Sequence, residues 1–268
     1  MYEAHHGLIR RPFAETVDPS AYLPLAGHEA ILRRLRYALE ASRGAAALYG
    51  PPGSGKTILA RRLSTAIGSP TVHLTYPALP SSELLAMIAE GLGDPPGSST
   101  MIESLRRIRD RLAAMSARGD RPLLIVDEAQ TIRDPSTFEA LRGLLNFATD
   151  GTSDLSMLLV GATEYLFDLP AGLSDRLSAR CLAGTLTESE SIAYVVGRIQ
   201  SARSDGGPDL FSPSALSALH LAADGLPRRL NRLADLALLI AYARELPIVD
   251  EETITLAARE FPQGSLAA

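Results

Sequence analysis

The chain has 268 residues, 46% hydrophobic and 21% charged, and its 26 basic and 31 acidic side chains give a formal net charge of −5. That length bounds the answer at one large domain or two modest ones, with enough apolar material for a real core, and it excludes wholesale disorder. No apolar run reaches the ~18 to 20 residues that span a bilayer, and the most lipophilic stretch, Leu233 to Ala243, is broken by Asp235. The opening MYEAHHGLIRRPF lacks a signal peptide's apolar stretch, and the single Cys181 excludes an internal disulfide or a multi-cysteine metal site. A soluble protein in a reducing, cytoplasmic setting is the expectation.

In chain order, the hydrophobic pattern alternates between helix and strand, which predicts a mostly parallel sheet. Helices are expected at His28–Ala41, Thr57–Ile67, Ser81–Gly91, Thr100–Arg118, Pro135–Thr149 and Leu166–Leu177. Strands are expected at Ala45–Tyr49, Thr71–Thr75, Leu123–Val126, Ser156–Val160 and a short one near Leu182–Leu186. Pro, Gly and Ser content marks loops at Asp94–Thr100 and Asp150–Ser153 and a hinge at Ser204–Pro208. From Glu188 the strand pattern stops, and Glu188–Ala202, Ser212–Ala223, Pro227–Ala243 and Asp250–Glu260 read as four helices. The expected organisation is an N-terminal segment and first helix (1–44), an α/β nucleotide-binding domain (45–187), a helical lid (188–261) and a tail (262–268).

Of the 26 basic residues only Lys56 is a lysine, and it sits in Gly50-Pro51-Pro52-Gly53-Ser54-Gly55-Lys56-Thr57, which fits G-x-x-x-x-G-K-[ST] at every fixed position. Glycines in such a loop adopt backbone conformations closed to other residues, so successive N–H groups point inward and cradle phosphate oxygens. Lys56 would carry its ammonium to the β- and γ-phosphates of ATP, and Thr57 would offer a hydroxyl to Mg²⁺. The flanks agree: Ala45–Tyr49 suits a buried strand, and ILARRLSTAI suits a helix with its positive dipole end at the phosphates.

Residues 122–130 read Pro-Leu-Leu-Ile-Val-Asp127-Glu128-Ala-Gln130, a strand buried on both faces that ends in two acids. In open α/β sheets ligands bind at that carboxyl edge. Asp127 would hold Mg²⁺, and Glu128 would act as general base on the attacking water. Lys56, Thr57, Asp127 and Glu128 together point to an NTP hydrolase rather than a mere binder. There is no H-E-x-x-H, C-x-x-C or G-x-S-x-G, and the five histidines lack ligand spacing.

These features resemble the AAA+ ATPases, and more narrowly those of the general secretion pathway protein A (ExeA) type. The likeness is carried by the opening from Tyr2 through Pro12-Phe13 and Asp18-Pro19, by DEAQ, by LRGLLNFATD (141–150) and by GLPRRLNRLADLALLIAYA (225–243). It covers nearly the whole chain and implies a P-loop AAA+ core, with a five-stranded mostly parallel sheet followed by a helical lid. It also implies roles for arginines. Gly225-Leu-Pro-Arg228 resembles the sensor 2 motif, in which a lid arginine reaches the γ-phosphate; Arg228 is the choice and Arg229 its neighbour in register. In Leu173-Ser-Asp-Arg176-Leu-Ser-Ala-Arg180 one arginine would enter an adjacent subunit's site, and Arg176 fits the family spacing better than Arg180. A guanidinium suits both roles because it never loses its proton. At sensor 1, Ala162-Thr163-Glu164 stands where the family commonly has Gln-Pro-Glu, and Thr163 would orient the water.

Two functions are expected from the resemblance. The first is an oligomeric ATPase, in a ring or filament, that assembles or remodels a protein partner as in export systems. The alternative is an ATP-dependent ATPase of the transposition (TniB-like) kind that assembles on duplex DNA. The available basic clusters are Arg33-Arg34-Arg36, Arg61-Arg62, Arg106-Arg107-Arg109-Arg111 and Arg228-Arg229-Arg232, and the net charge of −5 weighs against DNA. ExeA itself carries a membrane span and a peptidoglycan-binding region after its ATPase; neither follows here, so its secretion role is not carried over whole.

Overall fold

The structure, a computed structural model, describes residues 2–16, 18–41, 44–97, 100–149, 151–164, 169–203 and 207–260. It divides into two compact units: Ala30–Pro51 with Lys56–Ala183, and Met1–Glu29 with Pro52–Gly55 and Gly184–Ala268. The chain passes from one unit to the other between Glu29 and Ala30.

The sheet unit holds five strands, β1 (Ala45–Tyr49), β2 (Thr71–Leu74), β3 (Leu123–Val126), β4 (Ser156–Gly161) and β5 (Leu177–Leu182), in the order β2-β3-β4-β1-β5. All four pairings are parallel, with Ala45 opposite Met157 and Leu123 opposite Ser156. β3 and β4 are buried along their whole length, as apolar runs must be when both sheet faces are covered. On one face Leu124, Val126, Met157 and Leu159 pack with α4 (Ser81–Gly91), α5 (Met101–Ser116) and α6 (Pro135–Leu144). α3 (Lys56–Ile67), which follows the glycine-rich loop, packs on β1 and β4. α5 begins with a capping box, in which the Thr100 side chain and Glu103 satisfy each other's backbone N–H groups.

Three expectations need correction here. The fifth strand spans Leu177–Leu182, ahead of the expected Leu182–Leu186, and the expected helix Leu166–Leu177 is only Ala171–Ser174 (α7) within the described residues. β5 is an edge strand that pairs with β1 alone, so it buries every second residue: Ala179 and Cys181 face inward, while Ser178, Arg180 and Leu182 are exposed. With so few apolar positions the pattern reads as a helix surface rather than a buried strand. The expected Pro135–Thr149 helix ends at Leu144, and the residues beyond it pair instead: the Asp154 N–H donates to Phe147 O, and Ala148 bridges Ser153. Residues 165–168, most of the expected 204–208 hinge and the 262–268 tail lie outside the described residues.

The helical unit consists of α8 (Glu188–Ser201), α9 (Pro213–Ala223), α10 (Pro227–Ala243) and α11 (Glu251–Glu260) around an apolar core. Its other component is the N-terminal segment, whose Tyr2, Leu8 and Phe13 belong to that core. The segment is fastened by polar contacts as well. The buried Arg198 donates from Nε to Pro12 O (2.7 Å) and from Nη2 to Ala14 O (2.9 Å). Asp235 accepts from both the Tyr2 hydroxyl and Arg11. His6 is buried, with Nε2 3.1 Å from Leu238 O, and burial pushes its pKa down; it is a packing residue of this unit. Among the described residues no helix is long and apolar enough to cross a membrane.

Candidate nucleotide site

The loop after β1 is built by glycines in the left-handed region, Gly53 at φ +83° and Gly55 at φ +91°. Gly53 is constrained twice, since a Cβ there would stand 2.9 Å from the Cβ of Arg228. Within the same helical unit the Arg228 N–H donates to Gly53 O at 3.2 Å, which fixes the start of α10 against the loop. Ser54 Oγ is fully buried in this loop and finds no hydrogen-bond partner among the described residues. A buried orphan hydroxyl beside inward-turned backbone is what a phosphate cradle leaves for its ligand.

In the sheet unit, Lys56 is buried and its Nζ donates to Gly50 O at 2.9 Å and Pro51 O at 3.1 Å. The Thr57 hydroxyl donates to Asp127 Oδ2 at 2.9 Å. Asp127 comes from the end of β3, so this bond reaches past the intervening β4 to the start of the helix that follows β1. Burial pushes the Asp127 carboxyl up. The nearby His73 imidazole, with the hydrogen bonds from Thr57 and the Glu128 N–H, outweighs that effect and leaves it below its ordinary value, hence ionised. A hydroxyl and an ionised carboxylate are hard oxygen donors of the kind Mg²⁺ prefers, so the residues present fit that ion.

Glu128 is exposed and, unlike most non-glycine residues, left-handed at φ +52°. Such a conformation costs about 1–3 kcal/mol and persists only when the surroundings enforce it. Here the Thr131 N–H and hydroxyl both donate to Glu128 O at 2.8 Å. The side chain of Glu128 accepts from Gln130 Nε2, and Gln130 Oε1 in turn accepts from the Ala162 N–H at 3.1 Å. Thr163, the expected water-orienting residue, follows Ala162 directly; no hydrogen bond of its side chain is present among the described residues.

The arginines differ in what holds them. Arg229 is paired with Asp224, whereas the side chain of Arg228 is exposed and has no acid partner among the described residues. Arg176 is exposed in the turn before β5 and donates to Asn146 Oδ1 at 2.7 Å. Arg180, on β5, is committed to its own chain through Ser174 O (2.9 Å) and Ser174 Oγ (2.8 Å). Two side chains at the site were not singled out from sequence. Gln130 is one, visible only as the last letter of DEAQ. The other is His73, whose Nε2 lies 3.5 Å from Asp127 Oδ2; a lone histidine near the end of an apolar strand was its only signal.

Comparison with known proteins places this arrangement. Residues 39–169 match the family described as an AAA domain. The chain resembles an AAA domain over that stretch. It is similar to General secretion pathway protein A of Aeromonas hydrophila, with 33% identity over 267 residues, 97% of this chain and 48% of the relative. The chain thus spans about half the length of that relative. Among solved structures, Cdc6p from Pyrobaculum aerophilum matches with a TM-score of 0.72 at 18% identity, covering 93% of this chain and 70% of that one. The Aeropyrum pernix Orc1 protein, solved in complex with DNA, matches at 0.68 and 20% identity, covering 91% and 68%. At these identities the two structures establish the fold alone, a five-stranded parallel sheet with helices, in which the glycine-rich loop follows β1 and Asp127 and Glu128 follow β3.

Proposed function

We propose that this AAA domain hydrolyses ATP, and that the helical unit serves as its lid. The observation that carries the reading is the Thr57–Asp127 hydrogen bond, which joins the phosphate loop to the acid-bearing strand at 2.9 Å. Lys56, now bonded to the Gly50 and Pro51 carbonyls, would turn its ammonium to the β- and γ-phosphates, and the backbone of Gly50–Gly55 with the Ser54 hydroxyl would cradle them. Thr57 and Asp127 would hold Mg²⁺. When bound, that ion neutralises charge developing on the phosphates. Glu128 would take the proton of the attacking water as its oxygen bonds to the γ-phosphorus and the bridging oxygen departs with ADP. Arg228, beside Gly53, would act as the lid's γ-phosphate sensor, and Thr163 would orient the water.

Arg176 would complete the site of an adjacent copy, which makes the active form a ring or filament. It suits this better than Arg180, whose guanidinium is tied to Ser174 of its own chain. The likeness to General secretion pathway protein A over 97% of the chain supports a role in assembling or remodelling a protein partner, which we place in the cytoplasm. ATP binding and phosphate release test the first claim. Lys56→Ala is expected to lose nucleotide binding, and Glu128→Gln to keep it while losing turnover by a factor of roughly 10² or more. Normal phosphate release by Glu128→Gln would remove the glutamate from its role. Arg176→Ala subunits mixed with Glu128→Gln subunits are expected to recover activity, since each supplies what the other lacks. Electron microscopy with ATP, with and without duplex DNA, separates the protein-partner reading from assembly on DNA.

A further inference from the structure

Gln130 connects two parts of the sheet edge through a single amide. The Ala162 backbone N–H can only donate, so the atom facing it at 3.1 Å must be the amide oxygen. That fixes the other end: the amide nitrogen faces the Glu128 carboxylate, which can only accept while ionised. Both ends of the side chain are therefore used, and neither assignment can be reversed. Ala162 is the first residue beyond β4, and Thr163 follows it. Glu128 is held in the left-handed region by Thr131 at its carbonyl, so its side chain is delivered to Gln130 by a constrained backbone. With one carboxylate oxygen engaged, the rotamer of Glu128 and the position of its second oxygen are set.

We propose that Gln130 is a positioning residue, which holds the carboxylate of Glu128 in register with the end of β4. This rests on the ATPase reading above. The residue type follows from the task. Asparagine is one methylene too short to span both partners, glutamate would set a like charge against Glu128, and methionine fills the same space with no polar ends. A displacement of the Ala162–Thr163 turn pulls on one end of the amide and releases the base at the other. Water activation thereby depends on the state of the β4 edge, while nucleotide affinity does not.

The test uses the full chain and the variants Gln130→Met, which keeps length and packing, and Gln130→Glu, which keeps only the acceptor for Ala162. Melting temperature, ATP affinity, single-turnover hydrolysis and amide exchange at Ala162 in the nucleotide-free protein are measured for each. Gln130→Met is expected to melt and bind ATP within about twofold of wild type, to hydrolyse it roughly 10- to 100-fold more slowly, and to exchange faster at Ala162. Gln130→Glu is expected to keep Ala162 protected and still turn over slowly. Wild-type turnover in Gln130→Met, or unchanged exchange at Ala162, would overturn the role while leaving the ATPase reading intact. A wild-type chain that binds ATP and never hydrolyses it would bring down both.

Discussion

Gly53→Ala isolates how the loop is built. The residue sits at φ +83°, where a side chain costs about 1–2 kcal/mol. The new Cβ would also stand 2.9 Å from the Arg228 Cβ, closer than two carbons in ordinary contact. Relieving that contact means moving either the loop or the start of α10, for roughly another 1 kcal/mol. In the nucleotide-free protein the loop can relax away from the strained geometry. Binding must restore it, so most of the cost, about 2–3 kcal/mol, falls on affinity, and ATP binding should weaken roughly 30- to 150-fold. Isothermal calorimetry on Gly53→Ala, Arg228→Gly and the double variant reads the two parts separately. Removing the Arg228 Cβ should return the contact portion, about 1 kcal/mol of coupling between the sites, and leave the φ portion in place. Wild-type affinity in Gly53→Ala would refute the strain argument. Strictly additive variants would refute the contact.

Arg198→Met should unfasten the N-terminal segment, because two hydrogen bonds from a buried guanidinium are lost and the Pro12 and Ala14 carbonyls lose a donor. The expected loss is about 3–5 kcal/mol in the helical unit, read by denaturant unfolding, with faster exchange across residues 2–16. Gly225→Ala should damage the same unit, since the residue is at φ +64° and a Cβ would run into the Leu186 carbonyl; a loss above about 2 kcal/mol is expected by thermal unfolding. Asp94 is held below the ordinary carboxylate range by Arg111, with Arg107 adding to it against an opposing burial effect. A depressed folded-state pKa means that this contribution is complete above the unfolded value of about 3.9 and disappears as pH falls through the folded one. Melting curves of wild type and Asp94→Asn should therefore differ at neutral pH and converge as pH falls below the ordinary carboxylate range and through the folded value.

The parts of this molecule that were readable from sequence are those fixed by local chemistry. The loop from Gly50 to Thr57 needs glycines at set positions, and β3 needs both faces apolar before its two acids, so each announces itself within ten residues. The bounds of β1 and β3 match the pattern residue for residue. The rest depends on partners far away in sequence. β5 has one neighbour, and half its residues meet solvent, so Ser178 and Arg180 hide its period. Tyr2 and Phe13 stand out in sequence only as part of a family-like opening; the core they join comes from the helical unit, nearly two hundred residues later. Gln130 has no recognisable spacing to Ala162, which it meets only because β3 and β4 are adjacent in the sheet. Arg228 is preferred to Arg229 in sequence by resemblance alone; the Asp224 pairing of Arg229 and the Gly53 contact of Arg228 come from two loops distant in sequence.

The same accounting bears on whether duplex DNA is a partner. Arg107 and Arg111 both converge on Asp94, whose side chain is only 9% exposed, so neither is available to a phosphate without opening that loop. Arg36 pairs with Glu40, Arg109 with Asp110, Arg229 with Asp224 and Arg232 with Glu15. Exposed pairs of this kind are worth about 0–1 kcal/mol and would yield to a polyanion, but each one surrendered leaves an acid beside the DNA. In the sheet unit Arg33, Arg34 and Arg106 are exposed with no acid partner among the described residues. Three phosphate contacts per protomer correspond to a slope of about −3 in log affinity against log salt concentration. A measured slope much steeper than that, per subunit, would require further arginines to reach the DNA, either the exposed Arg228 or those now paired with acids. A slope near zero would leave these three arginines solvated and the protein-partner reading in possession of the field.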